Sequence, residues 1–299
     1  MVKKPLILGT GLSGLVGSRI VELLGDKYDF VDFSLDTKVS ILDKKVLKDN
    51  FAKYPLAKVV LHLAAFTDTK VAWEQRGDKK GLCYLLNVEG TENVLNLCQE
   101  QGKHLIHFST DFVFDGKKEG AYTEDNILSP IEWYGETKYQ AEKLISSREL
   151  KASILRIAFP FRSYFSPKKD VLRGILEGLE GKSLYPMFVD QITTPTFIDD
   201  IALGVGQFIT SKQAGVFHLV SSSCQSPYEM AKIVSEVFGY DPSLVQKGSL
   251  EKYLEGQLPN SRPWQRNLAL DNSKVRKMGI IMRSLKESLL EIKRQMESK

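Results

Sequence analysis

Short apolar runs alternate with amphipathic helical patterns along the first half of the chain. One long amphipathic pattern covers residues 81–101, where apolar positions recur at helical spacing and predict a helix. Continuous apolar runs predict buried strands at residues 5–8, 28–34, 58–67, 104–108 and 152–157. Strands that alternate with helices in this way are typical of an α/β fold built on a doubly wound parallel sheet.

A glycine-rich turn directly follows the first predicted strand. Gly11, Gly14 and Gly17 recur at intervals of three residues, and a helical pattern follows them as far as Gly25. In this context Gly11 allows a tight turn, Gly14 lets a pyrophosphate approach the helix N-terminus, and Gly17 permits close packing of helix on sheet. The pattern predicts a Rossmann-type dinucleotide site lined by Gly11, Leu12, Ser13, Gly14, Leu15, Val16 and Gly17.

An acidic residue ends the second predicted strand. Asp32 is followed by Phe33 and Ser34, and all three are predicted to lie beside a bound cofactor. An acid at this place commonly binds the adenosine ribose hydroxyls and disfavours a 2′-phosphate. Ser34 and Lys38 follow closely, however, and have the chemistry to accept that phosphate. The choice between NADPH and NADH therefore stays open.

The third predicted strand ends in small residues. Ala64, Ala65 and Thr67 leave room for a ligand, which in open α/β sheets binds at the carboxyl ends of the strands. These three residues are therefore added to the predicted cofactor site. His62 lies inside the apolar run of this strand and is interpreted as a packed core histidine. His104 and His107, in the fourth strand, are likewise interpreted as structural.

A hydroxyl, a phenol and an ammonium form the candidate catalytic group. Tyr134 and Lys138 are four residues apart, so on a helix they point the same way. A phenol beside an ammonium can donate a proton near neutral pH, because the positive charge stabilises the phenolate. Thr110 ends the fourth strand and could hold a carbonyl oxygen for that phenol. With a hydride donor alongside, these side chains suffice for a carbonyl reductase.

The second half of the chain has a less regular pattern. Helices are predicted at residues 171–179, 198–209 and 227–238, and a strand is predicted at residues 216–220. We therefore expect an NAD(P)-binding domain over residues 1–160 and a smaller substrate-binding region over residues 161–299, partly interwoven with the first.

An aromatic and basic segment opens that second region. It runs from Phe159 to Phe165 and contains Arg162. Because it follows the carboxyl end of a strand, it could close over a substrate with Arg162 facing an anion. A packed aromatic loop is the alternative interpretation.

Composition narrows the class of protein. A hydrophobic content of 42% with 26% charged residues is ordinary for a globular protein. The net charge of +4 is spread along the chain, which argues against a nucleic-acid partner. Cys83, Cys98 and Cys224 are far apart and show no metal-ligand spacing, so neither a metal nor a disulfide is expected. No run approaches the ~20 apolar residues of a membrane span, and a cytoplasmic protein is expected.

The motifs resemble those of the extended short-chain dehydrogenase/reductase superfamily, and most closely those of the dTDP-4-dehydrorhamnose reductase family. The stretch from Ser109 to Gly116 is similar to the family's STDYVFDG. Ala64-Ala65-Phe66-Thr67 is similar to AAYT, and the stretch from Tyr134 to Lys138 to YGxTK. Arg262-Pro263 resembles a C-terminal RP that begins a substrate-side segment. The resemblance extends over nearly the whole chain.

This resemblance implies an NAD(P)H-dependent sugar-nucleotide reductase, like the enzyme of dTDP-rhamnose biosynthesis. Tyr134 would donate a proton to a ketone oxygen, Thr110 would bind the carbonyl, and Lys138 would bind the nicotinamide ribose and lower the Tyr134 pKa. Phe112, Arg162 and Arg262 are the expected substrate-binding residues. The substrate would be a nucleotide-activated 4-keto deoxysugar, reduced with NADPH or NADH. Dimers are common among such folds, so a homodimer is included among the expected partners.

Two departures and two alternatives accompany this resemblance. Phe112 replaces the tyrosine of STDYVF, and Thr193 replaces the glycine of DQxGxPT. A nucleotide-sugar epimerase or dehydratase is one alternative, although Phe112 stands where dehydratases usually carry an acid. The other is a non-catalytic regulatory subunit like that of methionine adenosyltransferase, which keeps the fold and the cofactor site.

Overall fold

The structure is a computed structural model that describes residues 3–164 and 167–298. Four of the first five strands begin and end close to the apolar runs of the sequence. In chain order the strands are β1 (Leu6–Thr10), β2 (Asp29–Phe33), β3 (Val59–His62), β4 (His104–Thr110), β5 (Ala152–Ile157), β6 (Pro160–Phe161), β7 (Met187–Phe188), β8 (Thr196–Phe197), β9 (Gly215–His218) and β10 (Lys247–Gly248).

Helices connect these strands and cover the faces of the main sheet. A π-helical segment, Leu85–Gly90, joins α4 to α5, and a 3₁₀ turn, Asp111–Val113, follows β4. In chain order the helices are α1 (Leu15–Leu24), α2 (Lys44–Ala52), α3 (Thr69–Glu74), α4 (Leu82–Tyr84), α5 (Thr91–Glu100), α6 (Trp133–Ser146), α7 (Val171–Glu180), α8 (Ile198–Ser211), α9 (Pro227–Phe238), α10 (Leu250–Glu255), α11 (Ser273–Lys277) and α12 (Leu285–Glu297).

The central sheet has the order β2-β1-β3-β4-β5-β9, and all of its strands are parallel. The predicted doubly wound α/β fold is thereby confirmed. The chain moves outward from β1 to β2 and then crosses to β3 on the other side of β1. Ligands of such sheets bind in the crevice where the strand order reverses, at the carboxyl ends of the strands. The crevice between β1 and β3 is therefore the expected site.

Each face of the central sheet has its own hydrophobic core. On one face, Ile20 of α1 and Val205 of α8 pack with Leu61 of β3 and Phe217 of β9. The other face is covered by α2, α5 and α6, whose buried members include Leu47, Val94 and Ile145. Apolar burial on both faces explains why the strands read as continuous apolar runs rather than alternating ones.

The second half of the chain forms a separate apolar cluster but also returns to the central sheet. Helices α7, α9 and α12 pack together around Leu172, Met230 and Leu289, beside the two-stranded pairs β6–β8 and β7–β10. Two elements that lie between α7 and α9 in the sequence belong to the main sheet instead. Helix α8 packs against α1, and β9 is the edge strand beside β5. Among the described residues, no helix is both long and apolar enough to cross a membrane.

Two predicted elements differ from the observed ones. The strand predicted over residues 58–67 ends at His62, because the N–H groups of Leu63 and Ala64 both turn to the carbonyl of Thr10. The helix predicted over residues 81–101 is interrupted by the π-helical segment. Asn87 lies in this segment, and its side chain binds the backbone N–H of Phe66 at 2.8 Å and the Thr137 hydroxyl at 2.9 Å.

Candidate active site

Two positions of the glycine turn after β1 have no room for a side chain. Gly11 has φ = +70°, and a Cβ atom there would lie 2.7 Å from the backbone nitrogen of Ala64. A Cβ atom at Gly17 would lie 2.5 Å from the Gly11 carbonyl oxygen. The backbone of the turn therefore packs closely against the end of β3 and leaves the N-terminus of α1 open. This is the geometry of an anion cradle suited to a pyrophosphate.

Asp32, at the end of β2, reaches back to this turn. Its Oδ1 atom accepts the backbone N–H of Leu12 at 3.1 Å. The position suits an acid that binds ribose hydroxyls at the far end of a dinucleotide. The hydroxyl of Ser34 is buried near the end of the same strand.

The side chains of two residues predicted to bind cofactor point into the core instead. Phe33 is 2% exposed and packs against Phe51 of α2, with the ring centroids 5.4 Å apart. Leu12 is 3% exposed and belongs to the cluster under α1. Only the backbones of Leu12 and Phe33 can therefore face a cofactor. Residues alternate between faces in a strand, which explains why Phe33 turns inward beside Asp32.

A cleft of about 550 Å³ opens at the carboxyl ends of β1, β3 and β4. The glycine turn forms one wall, and helix α6 forms the opposite wall. Of the residues predicted from sequence, it is lined by Gly11, Ser13, Gly14, Leu15, Val16, Gly17, Ala64, Ala65, Thr67, Thr110, Phe112, Tyr134 and Lys138. Residues that were not among the predicted site residues also line it, including Thr69, Ser109, Asp111, Phe159 and Lys168.

Helix α6 brings Tyr134 and Lys138 to the cleft on one helical face. Glu132 caps the N-terminus of the helix by accepting the backbone N–H groups of Tyr134 and Gly135. Gly135 lies so close to the 3₁₀ turn after β4 that a Cβ atom would be 2.2 Å from the Phe112 carbonyl oxygen. The first turn of the helix is thus pressed against the segment that carries Thr110.

The Tyr134 phenol is held in its protonated form. Burial raises its pKa, and the nearby acids Asp111 and Glu132 act in the same direction. A hydrogen bond with Thr110 opposes the shift only in part. From the sequence we expected Lys138 to lower this pKa, whereas the net shift is upward, because loss of solvent outweighs the favourable contacts of the phenolate.

Lys138 is oriented by a histidine that the sequence pattern assigned to structure alone. Its Nζ atom lies 3.2 Å from Nε2 of His107. Burial, together with the Lys138 charge, lowers the pKa of His107 well below its usual value, so the ring is a neutral acceptor. Burial also lowers the pKa of Lys138 to about 8. His62 packs against His107 with the ring centroids 5.3 Å apart and is held by Thr10 and Thr91.

Thr110 has a close acidic neighbour. Its hydroxyl oxygen lies 2.9 Å from Oδ1 of Asp111 and accepts the backbone N–H of Phe112 at 3.3 Å. Burial raises the pKa of Asp111 to about 7. Glu132, on the other side of Tyr134, also has its pKa raised to about 7 by burial. Neither acid was predicted as a site residue, because a sequence does not show which acidic side chains will be buried.

A buried ion pair fixes the C-terminal part of helix α6. Arg156 of β5 binds both carboxylate oxygens of Glu142 in α6, at 2.7 and 3.0 Å. The hydroxyl of Ser109 donates to the same carboxylate at 2.5 Å, and His218 lies 3.2 Å from Arg156. Charge-assisted, bidentate bonds of this kind are strong and directional. They tie α6 to β4, β5 and β9 and so limit rotation of the helix.

The three expected substrate residues occupy different places. Phe112 lines the cleft and meets the Tyr134 ring edge-on at 5.8 Å. Arg262 is not among the described residues that line the cleft. Its guanidinium lies over the Trp264 ring, 4.4 Å from the ring centroid, and it interacts electrostatically with Glu132.

Arg162 turns away from the cleft, so its predicted position is wrong. Its side chain is 6% exposed, and its guanidinium binds Glu22 at 2.6 Å and Ser18 at 3.1 Å, both in α1. An anion does face Arg162, but it is a carboxylate of the protein itself. Phe165, at the end of the same predicted loop, lies outside the described residues.

The sequence was compared with protein families and with known proteins. Residues 5–298 match the family described as the RmlD substrate binding domain. The dTDP-4-dehydrorhamnose reductase of Aggregatibacter actinomycetemcomitans is 26% identical over 251 residues, with 81% of this chain and 80% of that protein covered. Methionine adenosyltransferase 2 subunit beta of Rattus norvegicus is 30% identical over 312 residues, with 95% and 86% covered.

A solved structure also superimposes on nearly the entire chain. It is the dTDP-4-dehydrorhamnose reductase of Bacillus anthracis in complex with NADP. The TM-score is 0.87 at 23% identity, and the alignment covers 98% of this chain and 100% of that one. At this identity, the similarity supports the fold.

Proposed function

The chain belongs to the RmlD substrate binding domain family, and from that membership we propose that it reduces the keto group of a nucleotide-activated sugar with NADPH or NADH. The finer proposal is a 4-keto deoxysugar carried on a nucleoside diphosphate, as in the dTDP-4-dehydrorhamnose reductases among its relatives. In this proposal one cleft would hold the substrate, the proton donor Tyr134 and a nicotinamide cofactor as hydride donor.

One observation carries this proposal. A single cleft of about 550 Å³ is lined both by the glycine turn and by Thr110, Tyr134 and Lys138. The first feature is a cradle for a pyrophosphate, and the second is a set of groups for a carbonyl oxygen. Their meeting in one cleft allows a cofactor and a ketone to lie side by side.

The residues present fit a nicotinamide dinucleotide. The turn has no room for a side chain at Gly11 or Gly17, so the backbone can approach a pyrophosphate. Asp32 would bind the adenosine ribose, and Lys138 would bind the nicotinamide ribose. When bound, the cofactor supplies a hydride to the carbonyl carbon.

The side chains of the protein would complete the reduction. As the carbonyl carbon gains the hydride, negative charge develops on its oxygen, and the Tyr134 phenol gives that oxygen its proton. Because the pKa of Tyr134 is raised, the phenol carries this proton throughout the neutral range. Thr110 would bind the same oxygen, and Lys138, held by His107, would place positive charge beside the phenolate that remains.

Replacing Tyr134 by Phe tests the assignment directly. The substitution keeps the ring and removes the acidic hydrogen, so turnover should fall by ~10²-fold or more. NADPH binding, followed by fluorescence titration, should remain within about threefold. Oxidation of NADPH and NADH is measured by absorbance with a dTDP-4-keto-6-deoxy sugar.

The matched control is Tyr139→Phe. Tyr139 lies in the same helix but is not among the described residues that line the cleft. This variant should turn over as the wild type does. If Tyr134→Phe were equally active, another group would have to supply the proton, and the assignment of Tyr134 would be abandoned.

A second candidate function comes from the similarity to methionine adenosyltransferase 2 subunit beta, at 30% identity. In that role the chain would bind a nicotinamide cofactor and a partner protein without reducing a sugar. Binding of NADPH without oxidation by any of the dTDP-, UDP-, GDP- or CDP-linked keto sugars would favour it. A change in the activity of a methionine adenosyltransferase on adding this chain would then be the positive result.

A further inference from the structure

The Thr110 hydroxyl has one hydrogen and two candidate uses for it. A hydroxyl offers a single donor and two acceptor lone pairs. The backbone N–H of Phe112 takes one lone pair at 3.3 Å, and Oδ1 of Asp111 lies 2.9 Å away. The proposed reaction asks the same hydroxyl to donate to a substrate carbonyl oxygen, which cannot itself donate. Without a substrate the same hydroxyl also bonds the Tyr134 phenol. When a carbonyl oxygen lies between Thr110 and Tyr134, the Thr110 hydrogen serves either Asp111 or that oxygen.

The protonation state of Asp111 decides between these uses. An ionised carboxylate can only accept, so it takes the Thr110 hydrogen and leaves the Thr110 oxygen with nothing to offer a carbonyl. A protonated carboxyl group can donate to the second lone pair of Thr110. The Thr110 hydrogen is then free to point into the cleft, where Tyr134 lies.

Burial favours the protonated form of Asp111 and outweighs the hydrogen bonds from Thr110 and from the backbone N–H groups of Asp111 and Phe112, which favour the ionised form. The residue is 1% exposed, and its Oδ2 atom has no hydrogen-bond partner among residues 3–164 and 167–298. The ionisable groups that face it are the Tyr134 phenol and the Glu132 carboxyl of α6. Arg262, from the C-terminal segment, faces Glu132 rather than Asp111. A carboxylate buried without a cation pays a large desolvation cost, which protonation removes.

We propose that Asp111 is a positioning residue that works in its protonated form, donating to Thr110 so that the Thr110 hydroxyl donates to the carbonyl oxygen. The inference rests on the proposed reductase function. Asp111 keeps its proton through the cycle, and the only proton transferred to substrate comes from Tyr134. Ionisation of Asp111 would reverse the Thr110 bond and weaken the hold on the carbonyl.

The first test is the pH dependence of kcat in wild type and Asp111→Asn. With the pKa of Asp111 near 7, wild-type kcat should fall roughly tenfold or more between pH 6 and pH 8. The asparagine introduced in this variant cannot ionise, and its amide can donate to Thr110. The fall in kcat should therefore shrink to about twofold, the part that Lys138 contributes with its pKa of about 8.

Two further variants separate Asp111 from its neighbours. Glu132→Gln should keep the wild-type fall, although the pKa of Glu132 lies in the same range. Asp125→Asn, in an exposed loop, should keep both the wild-type rate and the profile. If Asp111→Asn kept the full tenfold fall, or if Glu132→Gln abolished it, the proposal would be overturned.

An infrared difference spectrum tests the protonation without any turnover. The spectrum of wild type minus Asp111→Asn at pH 6 should contain the carbonyl stretch of a protonated carboxyl group, and this band should disappear as the pH rises past about 7. Absence of the band at pH 6 would overturn the role of Asp111 even in an active enzyme. A band in a protein that reduces no sugar would instead count against the reductase function.

Discussion

Replacing Gly135 by Ala should push the first turn of helix α6 away from the end of strand β4. A Cβ atom at this position would lie 2.2 Å from the Phe112 carbonyl oxygen, whereas ordinary contact begins at 3.4 Å. The contact is with backbone, so no side chain can rotate out of the way. The first turn of α6 would have to move about 1.2 Å away from the 3₁₀ turn that follows Thr110.

That displacement acts on the neighbouring Tyr134. A misplacement of ~1 Å in a catalytic group can cost ~10²-fold in rate, so kcat of the variant should fall by about two orders of magnitude. Overpacking costs ~1–3 kcal/mol. The better helix propensity of alanine returns ~1 kcal/mol. The net loss of stability should therefore be about 0–2 kcal/mol, and the protein should still fold.

Gly174→Ala is the matched control for this change. Gly174 lies within α7, exposed, and a Cβ atom there would meet nothing within 4 Å. This variant should keep full activity and gain ~0.5–1 kcal/mol in the free energy of unfolding. Stability is measured by urea denaturation and turnover by NADPH absorbance. A Gly135→Ala enzyme with kcat within about threefold of wild type would refute the argument that this contact aligns Tyr134.

Two other substitutions test the binding residues. Asp32→Ala should narrow any preference for NADH over NADPH, measured by fluorescence titration, because the carboxylate lies where ribose hydroxyls bind. Asp29→Ala, at the exposed start of the same strand, serves as its control, and an unchanged ratio would remove Asp32 from the ribose. Arg162→Ala should lower the free energy of unfolding by about 1–2 kcal/mol, since the partner Glu22 is 45% exposed and partly screened. Its KM for the sugar nucleotide should change less than twofold, and a tenfold increase would return Arg162 to the substrate site.

Much of the fold could be predicted because its signals are local. The helix predicted at residues 227–238 coincides with α9, where Ser226 and Glu229 form a capping box and Gly239 ends the helix in the left-handed region. The glycine turn and the end of β4 were located in the same way. Each depends on the backbone needs of a few consecutive residues, and parallel strands bring their carboxyl ends to one edge.

The directions of individual side chains were harder to predict. Phe33 adjoins Asp32 in sequence, yet it packs on Phe51 in the core. Arg162 was expected at a substrate and instead pairs with Glu22, 140 residues away. A cationic residue in an aromatic loop gives no local indication of which anion it will meet, because that anion is brought to it by the packing of another helix.

The electrostatics of the cleft arise only when the chain is folded. His107 becomes a neutral acceptor for Lys138, 31 residues away, and Asp111 loses its solvent. Residue types and spacing locate Thr110, Tyr134 and Lys138, because the chain carries that pattern directly. Burial and long-range contact set the pKa values of these groups, since desolvation depends on everything that packs around a charge.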